Sequence, residues 1–129
     1  MEKQLKNRTK TFAHNCVRLV ITFPKNDLGR HIGRQLIRCS TSVAANYRVA
    51  CIAQTRKSFV SKLSIVIEEV DEANFWLEFV KDENLNVDMS GLQRLLNEAD
   101  ELIKIFISSR KTAEQNVVSE QQANYKIEE

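Results

Sequence analysis

One proline and three glycines in 129 residues leave this chain almost nothing with which to punctuate itself into short strands and tight turns. A turn-dense β sandwich or barrel is therefore excluded. Histidine is equally scarce. His14 and His31 are preceded three residues earlier by Thr11 and Leu28, not Glu, so the Glu-x-x-His pairs that gather a di-iron centre between facing helices are absent. Neither a Gly-rich phosphate loop with its Lys nor a Gly-x-Ser-x-Gly nucleophile elbow occurs. Catalytic residues, cofactor and metal ligands are accordingly expected to be none. Cys16, Cys39 and Cys51 are odd in number and form no close pair, which suits buried packing thiols in a reducing compartment. The apolar stretch from Cys16 to Phe23 is too short to span a bilayer and is interrupted by Arg18, and the N-terminus is basic and polar. The expectation is a cytoplasmic protein with no membrane partner.

What the chain does have is apolar residues at helical spacing. Leu5, Phe12, Cys16, Leu19, Val20 and Phe23 predict a first amphipathic helix that ends before Pro24. Asp27 is placed to cap a second, with an inward stripe of Leu28, Ile32, Leu36, Cys39, Val43, Tyr47 and Ala50. Thr55 then caps a third, whose stripe runs from Phe59 through Leu63, Val66, Ile67, Val70, Ala73 and Leu77 to Val80, widened by Phe75 and Trp76. Asp82 to Asp88 is polar and reads as a loop. Ser90 and Gln93 have capping-box spacing for a fourth helix built on Leu92, Leu95, Leu96, Ala99, Leu102, Ile103 and Phe106. Short connections force neighbouring helices to alternate in direction. The predicted fold is all-α: an antiparallel up-and-down four-helix bundle, left-handed, over residues 1–111. Residues 112–129 read as a polar C-terminal tail, either a frayed helix or disordered, because Val117, Val118, Tyr125 and Ile127 build no stripe.

The net charge of +2 conceals an asymmetry. Residues 1–57 carry twelve Lys/Arg against two Asp/Glu, and residues 58–129 carry seven against fifteen. The basic half can pair with the acidic half, within or between subunits, or it can face an anionic partner.

Ser42-Val43-Ala44-Ala45-Asn46-Tyr47-Arg48, with Arg56-Lys57-Ser58-Phe59, Lys62-Leu63-Ser64-Ile65-Val66 and Trp76-Leu77-Glu78, resembles the signature of the bacterial rRNA intervening-sequence family over roughly residues 10–107. That resemblance implies a four-helix bundle assembled as a homopentamer, without known catalytic activity. It also implies kinship in fold with the accessory variability protein of diversity-generating retroelements, a basic pentamer that associates with a reverse transcriptase and nucleic acid. Two positions depart from the pattern: Val49 and Ser58 stand where relatives often carry acids.

Two basic ridges are the candidate nucleic-acid-binding residues. Arg30, Arg34 and Arg38 recur every four residues on the second helix, and like charges so placed repel unless an anion lies nearby. Lys10, His14 and Arg18 repeat the spacing on the first, with Lys3 and Lys6 upstream. The ridges would either track RNA or DNA phosphates or pair with Glu68, Glu69, Asp71 and Glu72. Asn46 is a candidate structural amide, fixing helix register by bonding across the bundle. Tyr47, Phe75 and Trp76 are interface candidates or core. The leading reading is a non-enzymatic oligomeric scaffold that binds nucleic acid. Its alternative is a protein-binding adaptor, for example for a polymerase, whose charge split serves self-assembly.

Overall fold

The computed structural model describes the backbone from Met1 to Glu128 and side chains as far as Tyr125. The end of the expected tail, namely Glu129 and the side chains of residues 126–129, lies outside the described residues. Four helices make up the fold: α1 (Glu2–Ile21), α2 (Asp27–Cys51), α3 (Arg56–Asp82) and α4 (Met89–Glu128). No strand occurs among the described residues.

The helix boundaries follow from local chemistry. At the end of α1, Thr22 and Phe23 donate their N–H groups to the carbonyls of Leu19 and Val20, each at 3.0 Å. Pro24 then cannot continue the helix. α2 is capped one residue earlier than the sequence predicts: extended Asn26 accepts the Gly29 N–H at 2.8 Å. Asp27 becomes the first helical residue, where its charge complements the positive helix end without capping it. Thr55 caps α3 by accepting the Ser58 N–H at 3.0 Å. At α4 the cap is Asp88, not Ser90, with Asp88 Oδ1 accepting the Ser90 N–H at 3.2 Å. A carboxylate beside the orphan amides is a stronger acceptor than a hydroxyl.

Between α3 and α4, Asn84 and Asn86 adopt left-handed backbone, φ 51° and 57°, a conformation that asparagine tolerates better than most residues. The two flank Leu85, which plugs the end of the core at 5% exposure.

Pairs that cross between helices fix their directions. Arg56 meets Glu120, Ser64 meets Arg110 and Asn74 meets Asp100, so numbering rises along α3 as it falls along α4. Likewise His31 lies against Trp76, while Arg38 reaches Glu69 and Glu72. α1 and α2 close on each other through two glycines. A Cβ on Gly29 would strike the Pro24 carbonyl oxygen, and one on Gly33 would lie 2.8 Å from Val20 Cγ1. Sequential helices pack along their lengths, α1 meets α4 over a shorter stretch, and the remaining pairs sit diagonally.

The core holds Phe12, Ile32, Leu36, Leu63, Leu77, Leu92, Leu102 and Phe106, each under 2% exposed. Leu28 drops out of the predicted stripe at 39% exposure, because its neighbour Gly29 makes the contact with the α1–α2 turn. Thr9 enters the core unforeseen, and the small Ser40 joins it. Each satisfies its hydroxyl by donating to its own helix, to the carbonyls of Lys6 and Ile37, so burial leaves no orphan group.

α4 does not stop near Arg110. Its backbone stays helical through the region expected to be tail, with Ala113 buried and Arg56 reaching Glu120 at 3.0 Å. Residues 111–128 contain neither Gly nor Pro, so an established helix propagates through them even without a continuous apolar stripe.

Candidate nucleic-acid interface

From residue 3 to residue 67 the chain holds one acid, Asp27. Since α1, α2 and the first turns of α3 fall in that span, the exposed side of the α1–α2 pair is nearly free of carboxylates.

Intrachain pairing takes the cations that sit at seams with the acidic helices. Arg8 forks onto Glu98 at 2.5 and 3.2 Å and reaches Glu101 at 3.1 Å. Its hydrogen bonds to Glu98 hold the guanidinium pKa above its usual value, against a smaller opposing effect of burial. Arg38 turns toward α3, pairing with Glu72 and lying 3.5 Å from Glu69, and is braced by Gln35. Burial is the main reason the Glu69 carboxyl titrates above the ordinary carboxylate range; Arg38 pulls it down, and Glu72 and Glu68 push it up.

The other candidates are free or only locally paired. Lys3, Lys10, Arg18 and Arg34 are exposed and enter no ion pair among the described residues. Lys6 meets only Glu2, one turn away at 3.4 Å. Arg30 meets only the exposed Asp27 at 3.7 Å and the Lys25 carbonyl at 3.2 Å. Solvated pairs of this kind contribute little and exchange readily for another anion. The α2 ridge thus divides: Arg30 and Arg34 stay on the open face, and Arg38 belongs to the α2–α3 seam. Sequence reasoning missed Arg48, also exposed, although it follows Arg30 by about five helical turns and shares its face.

The remaining candidates fall into place differently. Asn46 does not bond across the bundle. Its amide donates one turn back, to the Ser42 carbonyl at 2.9 Å and the Ser42 hydroxyl at 2.8 Å, so α2 itself satisfies it. Tyr47 is core, 4% exposed, with its ring 5.1 Å from Phe106. Phe75 is half exposed and heads an aromatic cluster on α3: Trp76 lies 4.9 Å and Phe79 5.9 Å from it. The Trp76 indole N–H donates to Glu72 at 3.2 Å. Burial pushes the Cys39 thiol up to about 12, and Cys16 is raised further for the same reason, so neither is a nucleophile near neutral pH. Among the described residues no group of His, Cys, Asp and Glu could hold a metal ion, and no helix is long and apolar enough to cross a membrane.

These features define an all-α four-helix bundle whose first two helices present cations to solvent. The sequence pattern of the 23S rRNA-intervening sequence protein family matches residues 2–108, and the chain belongs to that family. Among solved structures it is similar to a protein of unknown function from the S23 ribosomal protein family of Bacteroides thetaiotaomicron. The two are 28% identical with a TM-score of 0.76, over 85% of this chain and 97% of that one. No curated protein matches it. The part of α4 beyond residue 108 lies outside the family pattern.

Proposed function

We propose that the protein is a non-enzymatic cytoplasmic scaffold that self-associates, as a homopentamer by family resemblance, and binds RNA or DNA along the open face of α1 and α2. One observation carries this reading: Lys3, Lys10 and Arg34 stay exposed and without an ion pair among the described residues, although the same chain holds an excess of acids on α3 and α4. Had the charge split served intrachain pairing alone, these side chains would lie at the seams with Arg8 and Arg38. A row of solvated cations on a rigid helix pair suits phosphate contacts, which position a strand without reading its bases. The test is a mobility-shift titration at low salt with structured RNA, duplex DNA and single strands. Arg30→Glu with Arg34→Glu abolishes the shift while helix content is retained. Absence of any shift in the unaltered protein overturns the reading.

A second reading rests on Phe75, half exposed beside Trp76 and Phe79. An aromatic cluster of this kind suits a protein contact, and makes the protein an adaptor, for example for a polymerase. Pull-down before and after nuclease treatment separates the two: a nuclease-resistant partner lost with Phe75→Ser favours the adaptor.

A further inference from the structure

The shorter α1–α4 contact leaves a cleft of about 600 Å³ between the second half of α1 and the start of α4. Its floor is apolar, made by Phe12, Leu19 and Leu95, with Val87 at one end. Arg18 and Asn15 line it from α1, Arg94 from α4 and Asn86 from the connecting loop. Small or polar residues at the seam, among them Thr11, Thr22 and Gly91, keep α1 and α4 from closing over it.

Three observations mark this cleft as a binding site. Its volume falls within the range of small-molecule pockets. Arg18, Arg94, Asn15 and Asn86 make no side-chain hydrogen bond and no ion pair among the described residues, so two guanidiniums and two amides face the cleft uncommitted. The two carboxylates that line it are engaged: Glu98 holds Arg8, and Asp88 caps α4.

We infer that the cleft binds a nucleoside monophosphate, its flat base on the apolar floor and its phosphate between Arg18 and Arg94. Guanidinium forks match phosphate oxygens, the asparagine amides offer donors and acceptors to a base edge, and a lone inorganic ion would leave the floor empty. The nucleotide is either free or the 5′-phosphorylated end of a strand. The site does not require the α1–α2 face to bind nucleic acid, since Arg94 lies on α4.

Amide resonances of the full chain, followed by NMR during titration to about 10 mM, a concentration that detects dissociation constants in the millimolar range, provide the test. The ligands are the four nucleoside monophosphates, an unphosphorylated nucleoside, inorganic phosphate, and matched short oligonucleotides with 5′-phosphate or 5′-hydroxyl ends. Saturable shifts at residues 11–22 and 86–98 by a monophosphate, larger than those from nucleoside or phosphate, are expected. Arg94→Ala, an exposed position, weakens them about tenfold with helix content unchanged. If only the 5′-phosphorylated strand shifts these residues, the source is a strand end. Shifts that fall only on other residues, equal response to inorganic phosphate alone, or no response to any ligand overturns the inference. Nucleic-acid binding lost in Arg34→Glu but kept in Arg94→Ala separates failure of the open face from failure of the cleft.

Discussion

Replacing Arg34 and Arg38 one at a time by alanine separates the open face from the seam, because the two side chains are one helical turn apart and their surroundings differ. With Arg38 assigned to Glu69 and Glu72 and Arg18 bordering the α1–α4 cleft, six cations remain on the open face: Lys3, Lys6, Lys10, Arg30, Arg34 and Arg48. If each neutralises one phosphate, the logarithm of affinity for duplex DNA falls with the logarithm of salt at a slope of about −5, and for a single strand at about −4. On duplex DNA that slope corresponds to about a thousandfold loss of affinity between 50 and 200 mM salt. Removing Arg30 and Arg34 together cuts the slope by about two. Arg38→Ala leaves the slope unchanged.

Arg38→Ala acts on the fold instead. It strips Glu69 of its counterion while leaving that carboxylate largely covered, at 20% side-chain exposure. Because Arg38 and Glu72 are themselves solvated, the loss is about 1 kcal/mol, well short of a fully buried pair. Filter binding or fluorescence anisotropy across a salt series, with thermal melts of each variant, supplies both readings. Equal slopes for Arg34→Ala and Arg38→Ala, or a slope near zero for the unaltered protein, would refute the assignment of these cations to phosphate.

Gly29→Ala drives a Cβ into the Pro24 carbonyl oxygen, so the α1–α2 turn must shift; a loss of about 1–3 kcal/mol is expected in chemical denaturation. Glu69 titrates above the ordinary carboxylate range chiefly through burial, so its neutral form favours the folded state. This contribution is full below the ordinary range and disappears as pH rises through the raised pKa; Glu69→Gln flattens that segment of the stability profile measured by melts from about pH 4 to 7. Burial raises all three thiols, least for the partly exposed Cys51. A disulfide reagent near pH 8 therefore modifies Cys51 first, and Cys16 and Cys39 only as the protein unfolds.

Helix number and stripes were legible because each helix buries apolar residues at a spacing that only a helix brings to one side, as Leu63, Val66, Val70, Ala73 and Leu77 do. Caps were less so. Asn26 and Asp27 are both good caps, and the choice depends on where the chain leaves Pro24, which the close fit of Gly29 decides. Whether a side chain on the stripe's margin is core or surface depends on its partner across the bundle. Tyr47 is covered by Phe106, more than fifty residues away, whereas Phe75 has no covering helix. The same holds for charge: Arg34 and Arg38 are indistinguishable by spacing, and only the position of α3 separates them. The cleft was invisible to the sequence because it lies between the first and last helices, the pair whose contact is least determined by any local signal.

The open cations cannot serve two masters, and this makes assembly a test of function. Exposed Glu68, Asp71 and Asp82 enter no ion pair among the described residues, so the acidic side of one copy could cover the basic side of the next. Such a contact joins unlike surfaces and would have to close as a ring or grow as a filament. It would also bury Lys10, Arg30 and Arg34 and screen them from any strand. If nucleic acid occupies that face, the proposed self-association must use other surfaces, of which the Phe75 cluster is the apolar one on α3. The mass measured by light scattering should then hold steady from about 0.05 to 1 M salt, because screening across that range weakens exposed charge pairs and not apolar contact. Arg30→Glu with Arg34→Glu should leave the mass intact, and Phe75→Ser should lower it. Dissociation by salt, or by the charge reversals, would instead assign the α1–α2 face to self-assembly and leave no open surface there for phosphate.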